Sequence, residues 1–174
     1  DVDDGDSATF SITGGSDITA VLDGSSVSFS APTNYNGSES FTVNVIDSGD
    51  LSDSQSFTVT VNAVNDAPTA DAASGTTDED QSIVITLSGD DIDGDNLTFS
   101  IGDAPLHGSV TLDGTLATYT PDENYNGDDS FTFTISDGTL SDTATVSITV
   151  NTINDAPVLS SVSDVAFDED GSGS

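Results

Sequence analysis

The tetrapeptide Asn-Asp-Ala-Pro occurs at residues 65–68 and again at residues 154–157. The second copy follows the first by 89 residues, measured from Pro68 to Pro157. A period of this size is typical of tandem arrays in which each repeat is one small β domain. The chain has 174 residues, so the period predicts a series of small domains rather than a single large one.

Short runs in which apolar residues alternate with Ser or Thr predict β-strands with one buried face. In the second repeat these runs are IVITL (83–87), LTFSI (97–101), GSVTL (108–112), ATYT (117–120), SFTFTIS (130–136) and TATVSITV (143–150). Together with an extended stretch after Pro68, they give about seven short strands, the pattern of a β-sandwich. Helical periodicity of useful length does not occur, so the predicted fold class is all-β.

The first repeat matches the second from its third strand onward. The runs ATFSI (8–12), SFTVNVI (40–46) and FTVTV (57–61) correspond to the third, sixth and seventh strands of the second repeat. We therefore predict that residues 1–64 form a repeat lacking strands A and B, that residues 65–153 form a complete repeat, and that residues 154–174 begin a third with its A strand. In that last segment FDED (167–170) repeats TDED (77–80), and Val165 and Phe167 stand at alternate positions.

Equivalent turns punctuate the two repeats. Asp23-Gly24 and Asp113-Gly114 predict hairpins between the fourth and fifth strands. Tyr35 and Tyr125, each followed by Asn-Gly, are predicted to be structural anchors at the corner before the sixth strand.

The charge of the chain restricts its partners. It contains 32 acidic residues and neither Lys nor Arg, which gives a formal net charge of −32. Such a surface repels nucleic acid and anionic membranes and attracts divalent cations, so we expect no nucleic-acid partner and no direct membrane insertion. Asp outnumbers Glu by 28 to 4. Because Asp is favoured in turns and is a compact oxygen ligand, this imbalance indicates acidic loops that bind calcium.

The acids are predicted to gather at the two poles of each repeat. When the strands are labelled A to G, consecutive strands run antiparallel, so the BC and FG loops share the N-terminal pole and the AB and EF loops share the C-terminal pole. Stacked repeats bring unlike poles together, where like charges repel unless a cation binds among them. Calcium, which takes about six to eight oxygen ligands, suits this position. The predicted Ca²⁺ ligands of the linkers, the N-terminal pole and the C-terminal pole are Asn65, Asp66, Asn154, Asp155; Asp91, Asp93, Asp95, Asp137; and Asp78, Glu79, Asp80, Asp122, Glu123.

The motifs NDAP, DED, DxDGD, YNG with the following SF, and ISDG recur in register. In this set the chain resembles the cadherin-like repeats, with an Ig-like Greek-key β-sandwich fold, of large secreted RTX-type bacterial adhesins. The resemblance implies calcium at the junctions between neighbouring repeats, rod-like arrays, and cell-surface adhesion outside the cell. It matches Asp91, Asp93 and Asp95 to the acidic BC motif. Glu79, the pair Asp122 and Glu123, and the Asn-Asp pairs of the linkers match the family's other ligand positions.

Other functional classes have little support in the sequence. The segment DIDGDNLTFSIG begins like an EF-hand loop, but it lacks the required Gly at its sixth position and ends in Gly102 rather than Glu. His107 is the one histidine, and a catalytic group of Ser or Cys with His is not readable, so we do not expect an enzyme. Two alternatives to a calcium-stiffened spacer stay open: a carbohydrate- or partner-binding module, and a filament subunit that associates head to tail by strand exchange.

Overall fold

The computed structural model describes residues 7–159 together with positions 161, 164, 166 and 169. Distances between Cα atoms divide the chain into two compact units. Of the described residues, unit 1 comprises those up to Pro68 together with Asp90–Asn96, and unit 2 comprises Thr69–Gly89 together with those from Leu97 onward. Every regular element in the described residues is a β-strand, which confirms the predicted all-β fold class. Accordingly, the described part of the chain has no helix of the length and hydrophobicity that a membrane span requires.

Unit 2 is a two-layered β-sandwich. One sheet has the strand order β10-β13-β14-β7 and the other has the order β11-β12-β8. All neighbours are antiparallel except β14 and β7, which run parallel. A short two-stranded sheet joins β6 and β9. The strands are β6 (Thr69–Ala70), β7 (Ala73–Asp78), β8 (Ile83–Thr86), β9 (Gly89–Asp90, whose second residue is assigned to unit 1), β10 (Thr98–Ile101), β11 (Gly108–Asp113), β12 (Leu116–Pro121), β13 (Gly127–Ser136) and β14 (Ser141–Asn151).

The core of unit 2 lies between its two sheets. Inward-facing residues of β13 and β14 alternate with Thr and Ser on the outer face, as the sequence pattern predicts. Tyr119 of β12 and Phe133 of β13 are completely buried. Leu97, Phe99 and Ile101 pack against this core from the β10 side.

Unit 1 contains five strands in two sheets. A three-stranded antiparallel sheet has the order β1-β4-β5, and β2 and β3 form a hairpin. The strands are β1 (Thr9–Gly14), β2 (Thr19–Asp23), β3 (Ser26–Ser30), β4 (Gly37–Ile46) and β5 (Ser52–Val61). Three phenylalanines form its centre: Phe41 stacks on Phe57 at 6.1 Å between ring centroids, and Phe29 meets both rings edge-on.

The predicted turns have the backbone geometry that their residues favour. Gly24 and Gly114 each have φ of +60° between hairpin strands. Asn34 and Asn124, which precede the paired tyrosines, occupy the left-handed region with φ of +61° and +58°. The Tyr125 hydroxyl donates to the Asp128 carbonyl at 2.7 Å, so this tyrosine anchors its corner as predicted.

The predicted boundaries at residues 64 and 153 stay predictions. The 90–96 loop, assigned to the second repeat from the sequence, belongs to unit 1 in the grouping by Cα distances. Residues 1–6, Val165, Phe167 and most of the segment proposed as a third repeat lie outside the described residues.

Candidate metal centre

Three aspartates of the 90–96 loop converge. Asp91, Asp93 and Asp95 each place a carboxylate oxygen within 4.8 Å of the others. The loop is held by its own backbone, because Asp91 Oδ1 accepts the N–H groups of Asp93 and Asp95 at 2.9 and 3.3 Å. Gly94, with φ of +78°, completes the turn and donates its N–H to the Asp91 carbonyl. Alternation of aspartates along this loop therefore brings the three carboxylates to one place.

One oxygen of this cluster lacks a partner. Asp91 Oδ2 is shielded from solvent and accepts no hydrogen bond from any described residue. A shielded carboxylate oxygen without a donor is unfavourable, because desolvation disfavours its charge. Since the chain has no Lys or Arg, a side-chain cation other than the single histidine cannot neutralise it. A bound metal ion would.

The linker reaches the same cluster within unit 1. The Asp66 N–H donates to Asp93 Oδ2 at 2.7 Å. A recess of about 210 Å³ lies beside this bond. Asp66, Asp93 and the amide-bearing Asn34, Asn36 and Asn62 contribute to its wall. Carboxylate, amide and backbone oxygens are the donors that calcium prefers, so the residues present fit that ion.

Asp137, the fourth ligand predicted at the N-terminal pole, has a structural role in a turn. Asp137 Oδ1 accepts the N–H groups of Thr139 and Leu140, which closes the turn between β13 and β14. Asp47 closes the equivalent turn of unit 1 by accepting from Gly49 and Leu51. The ISDG motif is thus a turn signal, and Asp137 is not a member of the aspartate trio.

The predicted C-terminal-pole acids of unit 2 are distributed over several local networks. Glu79 is 6% exposed and accepts hydrogen bonds from Ile153, Thr152 and Asn126. Asp78 accepts from the Asn151 side chain, and Asp80 from the Asn124 N–H.

Asp122 and Glu123 are exposed, as is Asp155. Among the described residues, these acids do not form a trio as close as Asp91, Asp93 and Asp95. Their role as ligands stays a prediction.

The two linker motifs share one local geometry. The Asn65 side-chain amide donates to the Asp66 carbonyl at 3.0 Å, and Asn154 donates to the Asp155 carbonyl at 3.1 Å. In both copies the asparagine side chain donates to the backbone carbonyl of the next residue, so the two linkers have the same local conformation.

Two carboxylates that the sequence analysis did not single out have clear structural roles. Glu39 and Asp129 occupy equivalent positions, each two residues after the glycine of the Tyr-Asn-Gly motif. Glu39 accepts hydrogen bonds from the loop between β1 and β2, and Asp129 accepts them from the loop between β10 and β11. The signal that could have identified them is the recurrence of an acid at this inward position in both repeats.

Asp129 is the hub of a buried network. It is 8% exposed and accepts hydrogen bonds from the N–H groups of Leu106 and His107 and from the Tyr119 hydroxyl. Burial opposes ionisation, but the hydrogen bonds, led by that from Leu106, outweigh it and hold the pKa of Asp129 below its usual value. Burial, reinforced by the Asp129 charge, raises the pKa of Tyr119.

Glu39 is the corresponding hub of unit 1. Its Oε2 accepts the N–H groups of Ser16 and Ile18, and its Oε1 accepts the Ser16 hydroxyl and the Asp17 N–H. These bonds, led by the Ser16 hydroxyl, lower the pKa of Glu39 from 4.5 to about 2.

The Glu39 pKa predicts an acid-dependent loss of stability in unit 1. Because the folded pKa lies below the unfolded one, Glu39 stabilises the folded unit above about pH 4.5, and this contribution is lost as the pH falls through about 2. Glu39→Gln should lower stability at neutral pH and flatten its decline between these values. Urea unfolding at a series of pH values measures this.

A matched control for Glu39→Gln is Asp50→Asn, which changes an exposed acid in the β4–β5 turn where asparagine tolerates the φ of +65°. A pH profile for Glu39→Gln that has the wild-type slope would contradict the assigned role of this carboxylate.

Comparison with known proteins supports the fold. Residues 65–149 match the family model described as a bacterial Ig domain. A fragment of protocadherin gammaB7 containing repeats EC3-6 aligns with a TM-score of 0.52 at 17% identity, covering 83% of this chain and 41% of that one. These matches support an Ig-like or cadherin-like β-sandwich.

Two further proteins match this chain over a smaller share of their own length. A 60-residue stretch is 46% identical to Protein GAMETE EXPRESSED 2 of Arabidopsis thaliana, which is 34% of this chain and 7% of that protein. An endo-fucoidan hydrolase of glycoside hydrolase family 107 aligns at 27% identity with a TM-score of 0.43, over 86% of this chain and 24% of that one. The chain thus spans less than half the length of each protein named here.

Proposed function

We propose that this chain is a calcium-binding structural repeat of a secreted, adhesive bacterial surface protein. The observation that carries the proposal is the trio Asp91, Asp93 and Asp95, whose oxygens lie within 4.8 Å of one another while Asp91 Oδ2 has no donor. The Ig-like fold of the matched segment fits a non-enzymatic role outside the cell, where bacterial Ig and cadherin-like domains typically act.

In this proposal, calcium binds Asp91 Oδ2, the shielded carboxylate oxygen that has no hydrogen-bond donor. The ion would take oxygens from the three loop aspartates, and Asp66 would add a fourth carboxylate from the linker. Because the same loop contacts the Asp66 backbone at 2.7 Å, binding would fix the linker against the loop. A linker fixed in this way would let successive repeats act as a stiff spacer, and the neighbouring repeats of the same protein are its first partners.

Asp93→Ala tests the assignment directly. Asp93 lies in the trio, whereas Asp103 is an exposed aspartate of unit 2 and serves as the control for loss of one charge. We expect Asp93→Ala to weaken the tightest calcium-binding event by about tenfold or more, since calcium affinity depends on the number of charged ligands. Isothermal calorimetry in the full chain measures both variants.

Equal effects of Asp93→Ala and Asp103→Ala would indicate that calcium only screens a diffuse acidic surface, and so would contradict the assigned site. If the tightest calcium-binding event survived Asp93→Ala but were lost in Glu79→Ala, the site would instead lie at the C-terminal pole of unit 2. Binding of glycans stays a separate prediction, which a glycan array with and without calcium would test.

A further inference from the structure

A recess on the outer face of the four-stranded sheet of unit 2 has no part in the calcium proposal. Its volume is about 500 Å³. Exposed side chains of β13 and β14 form its floor, and the loop between β10 and β11 forms a wall. Clefts that bind small ligands measure about 300–1,000 Å³, so the recess can hold one side chain of a partner. The floor residues are Asp128, Ser130, Ser147 and Thr149, and the wall residues are Leu106 and His107.

The wall of the recess is fixed by hydrogen bonds to its backbone. The Leu106 and His107 N–H groups each donate to the Asp129 carboxylate at 3.0 Å. The His107 carbonyl accepts the Asp122 N–H at 2.9 Å and the Tyr119 hydroxyl at 3.2 Å. A loop held in this way is preorganised, so a ligand that contacts it loses little affinity to the ordering of the loop.

The wall presents an alkyl group and a planar ring to solvent. Leu106 is 84% exposed. The exposed His107 ring stacks on Tyr125, with 4.2 Å between the ring centroids and 9° between the planes. One face of the imidazole therefore lies against the tyrosine, and the opposite face is turned away from it. A partner's side chain with an alkyl stem and a flat end group can pack on such a surface.

Unit 1 has the same backbone arrangement with different side chains at the wall. The positions of Leu106 and His107 are occupied there by Ser16 and Asp17, whose N–H groups likewise donate to the hub carboxylate of their unit. Because this arrangement forms with a hydroxyl and a carboxylate in these places, the fold does not require the leucine or the histidine.

The floor of the recess also differs between the units. Asp128 pairs with Thr149 across β13 and β14, and its Oδ1 accepts the threonine hydroxyl at 3.1 Å. In unit 1 Ser38 pairs with Thr60, and the two hydroxyls bond at 2.8 Å. Unit 2 thus has a carboxylate where unit 1 has a hydroxyl. Since His107 is the one histidine, the combination of carboxylate, exposed leucine and imidazole is peculiar to unit 2.

We propose that this recess of unit 2 binds an arginine side chain of a cationic partner protein. A carboxylate offers about four acceptor positions, so Asp128 can keep its bond from Thr149 and accept two N–H groups of the guanidinium. The aliphatic stem would pack on Leu106, and the guanidinium plane would stack on the outer face of the His107 ring. This inference is independent of the calcium site.

The charge of the chain favours this occupant over others. With a net charge of −32 and neither Lys nor Arg, the protein attracts cations over a long range and repels anions. Lysine has the required charge, but its ammonium group has no plane to stack and makes no fork of parallel hydrogen bonds. A neutral saccharide would gain nothing from the acidic field.

NMR titration of the isotope-labelled full chain with the blocked peptide acetyl-Gly-Arg-Gly-amide, at about 0.15 M ionic strength, tests the proposal. We expect saturable shifts concentrated at the amides of Leu106, His107 and the floor residues. Asp128→Asn should weaken binding about tenfold or more, because it removes the charge-assisted bonds. Asp113→Asn is the matched control, since it removes one exposed charge of unit 2 and leaves an Asn-Gly turn. It should bind the peptide like the wild type.

A second comparison tests the chemistry of the recess. The corresponding lysine peptide has the same charge, and we expect it to bind about fivefold more weakly or worse, because it cannot stack on the imidazole. Leu106→Ser introduces the residue that unit 1 has at the equivalent position, and it should weaken binding of the arginine peptide through loss of the apolar contact.

Several results would overturn the proposal. One is the absence of saturable shifts at the recess amides with the arginine peptide. Another is equal binding of the arginine and lysine peptides, or equal weakening by Asp128→Asn and Asp113→Asn, since either would show that net charge alone attracts the peptide. A third is a response of the same amides to maltotriose but not to the arginine peptide, which would make the recess a saccharide site.

Discussion

Replacing Asp129 by Ala should lower the free energy of unfolding of unit 2 by about 3 kcal/mol or more. The variant removes the shared acceptor of the Leu106 and His107 N–H groups and of the Tyr119 hydroxyl. The tyrosine is completely buried, so water cannot readily replace the lost acceptor, and its hydroxyl keeps only the longer bond to the His107 carbonyl at 3.2 Å. A buried donor left without a partner costs about 1–3 kcal/mol, and the variant also removes the acceptor of the partly buried bonds from the Leu106 and His107 N–H groups.

Asp128→Ala is the control for this experiment, because Asp128 is the adjacent residue and is exposed. Its carboxylate accepts a hydrogen bond from the Thr149 hydroxyl at 3.1 Å, so the loss should be below about 1 kcal/mol. Urea unfolding followed by tyrosine fluorescence in a Tyr35→Phe background reports on unit 2, because Tyr119 and Tyr125 are then the remaining tyrosines. If the two variants were equally stable, the Asp129 network would be incidental to the fold.

The fold was predictable because the pattern along each strand is local. Alternation in SFTFTIS requires one buried face, and the structure buries Phe131, Phe133 and Ile135 in β13. The turns were predictable for a similar reason, since Asp113-Gly114 and the Asn-Gly pairs need left-handed backbone that few residues adopt. Strand ends were less predictable: β13 begins at Gly127 and β14 ends at Asn151, beyond the alternating runs.

The candidate site was predictable only in part. Asp91, Asp93 and Asp95 stand close in sequence, and a single turn is enough to bring them together. The residues of the C-terminal pole come from separate loops, so their mutual distances depend on side-chain hydrogen bonds that a sequence does not reveal. Glu79 illustrates this, because its carboxylate is engaged by Ile153, Thr152 and Asn126.

Asp129 was missed for the opposite reason. In a chain with 32 acidic residues, a single aspartate within a motif is readily interpreted as part of a solvated surface. Its position in β13 places it with the inward-facing residues Phe131 and Phe133, and this alternation was the available sign that it is buried. An acidic residue in register with a core face is therefore expected to accept hydrogen bonds from donors that are shielded from water.

Saturating calcium should stabilise unit 1 more than unit 2. A ligand that binds only the folded state adds RT ln(1 + [L]/Kd), about 2.7 kcal/mol at a hundredfold excess over Kd. For a domain of this size that is a rise in Tm on the order of 10 °C. The effect should centre on unit 1, because Asp66, Asp91, Asp93 and Asp95 all belong to it. Calorimetric scans with calcium and with chelator, and hydrogen exchange in β1, β4 and β5, measure this.

The control for calcium must separate binding from screening, because a chain of net charge −32 gains stability from any added salt. Sodium chloride at matched ionic strength should therefore stabilise both units alike, and calcium should add an increment confined to unit 1. Asp91→Ala should abolish that increment, because it removes the orphaned oxygen Oδ2 and the acceptor of the Asp93 N–H together. Sodium and calcium with equal effects, or an increment that survives Asp91→Ala, would show that the aspartate trio is not where calcium acts.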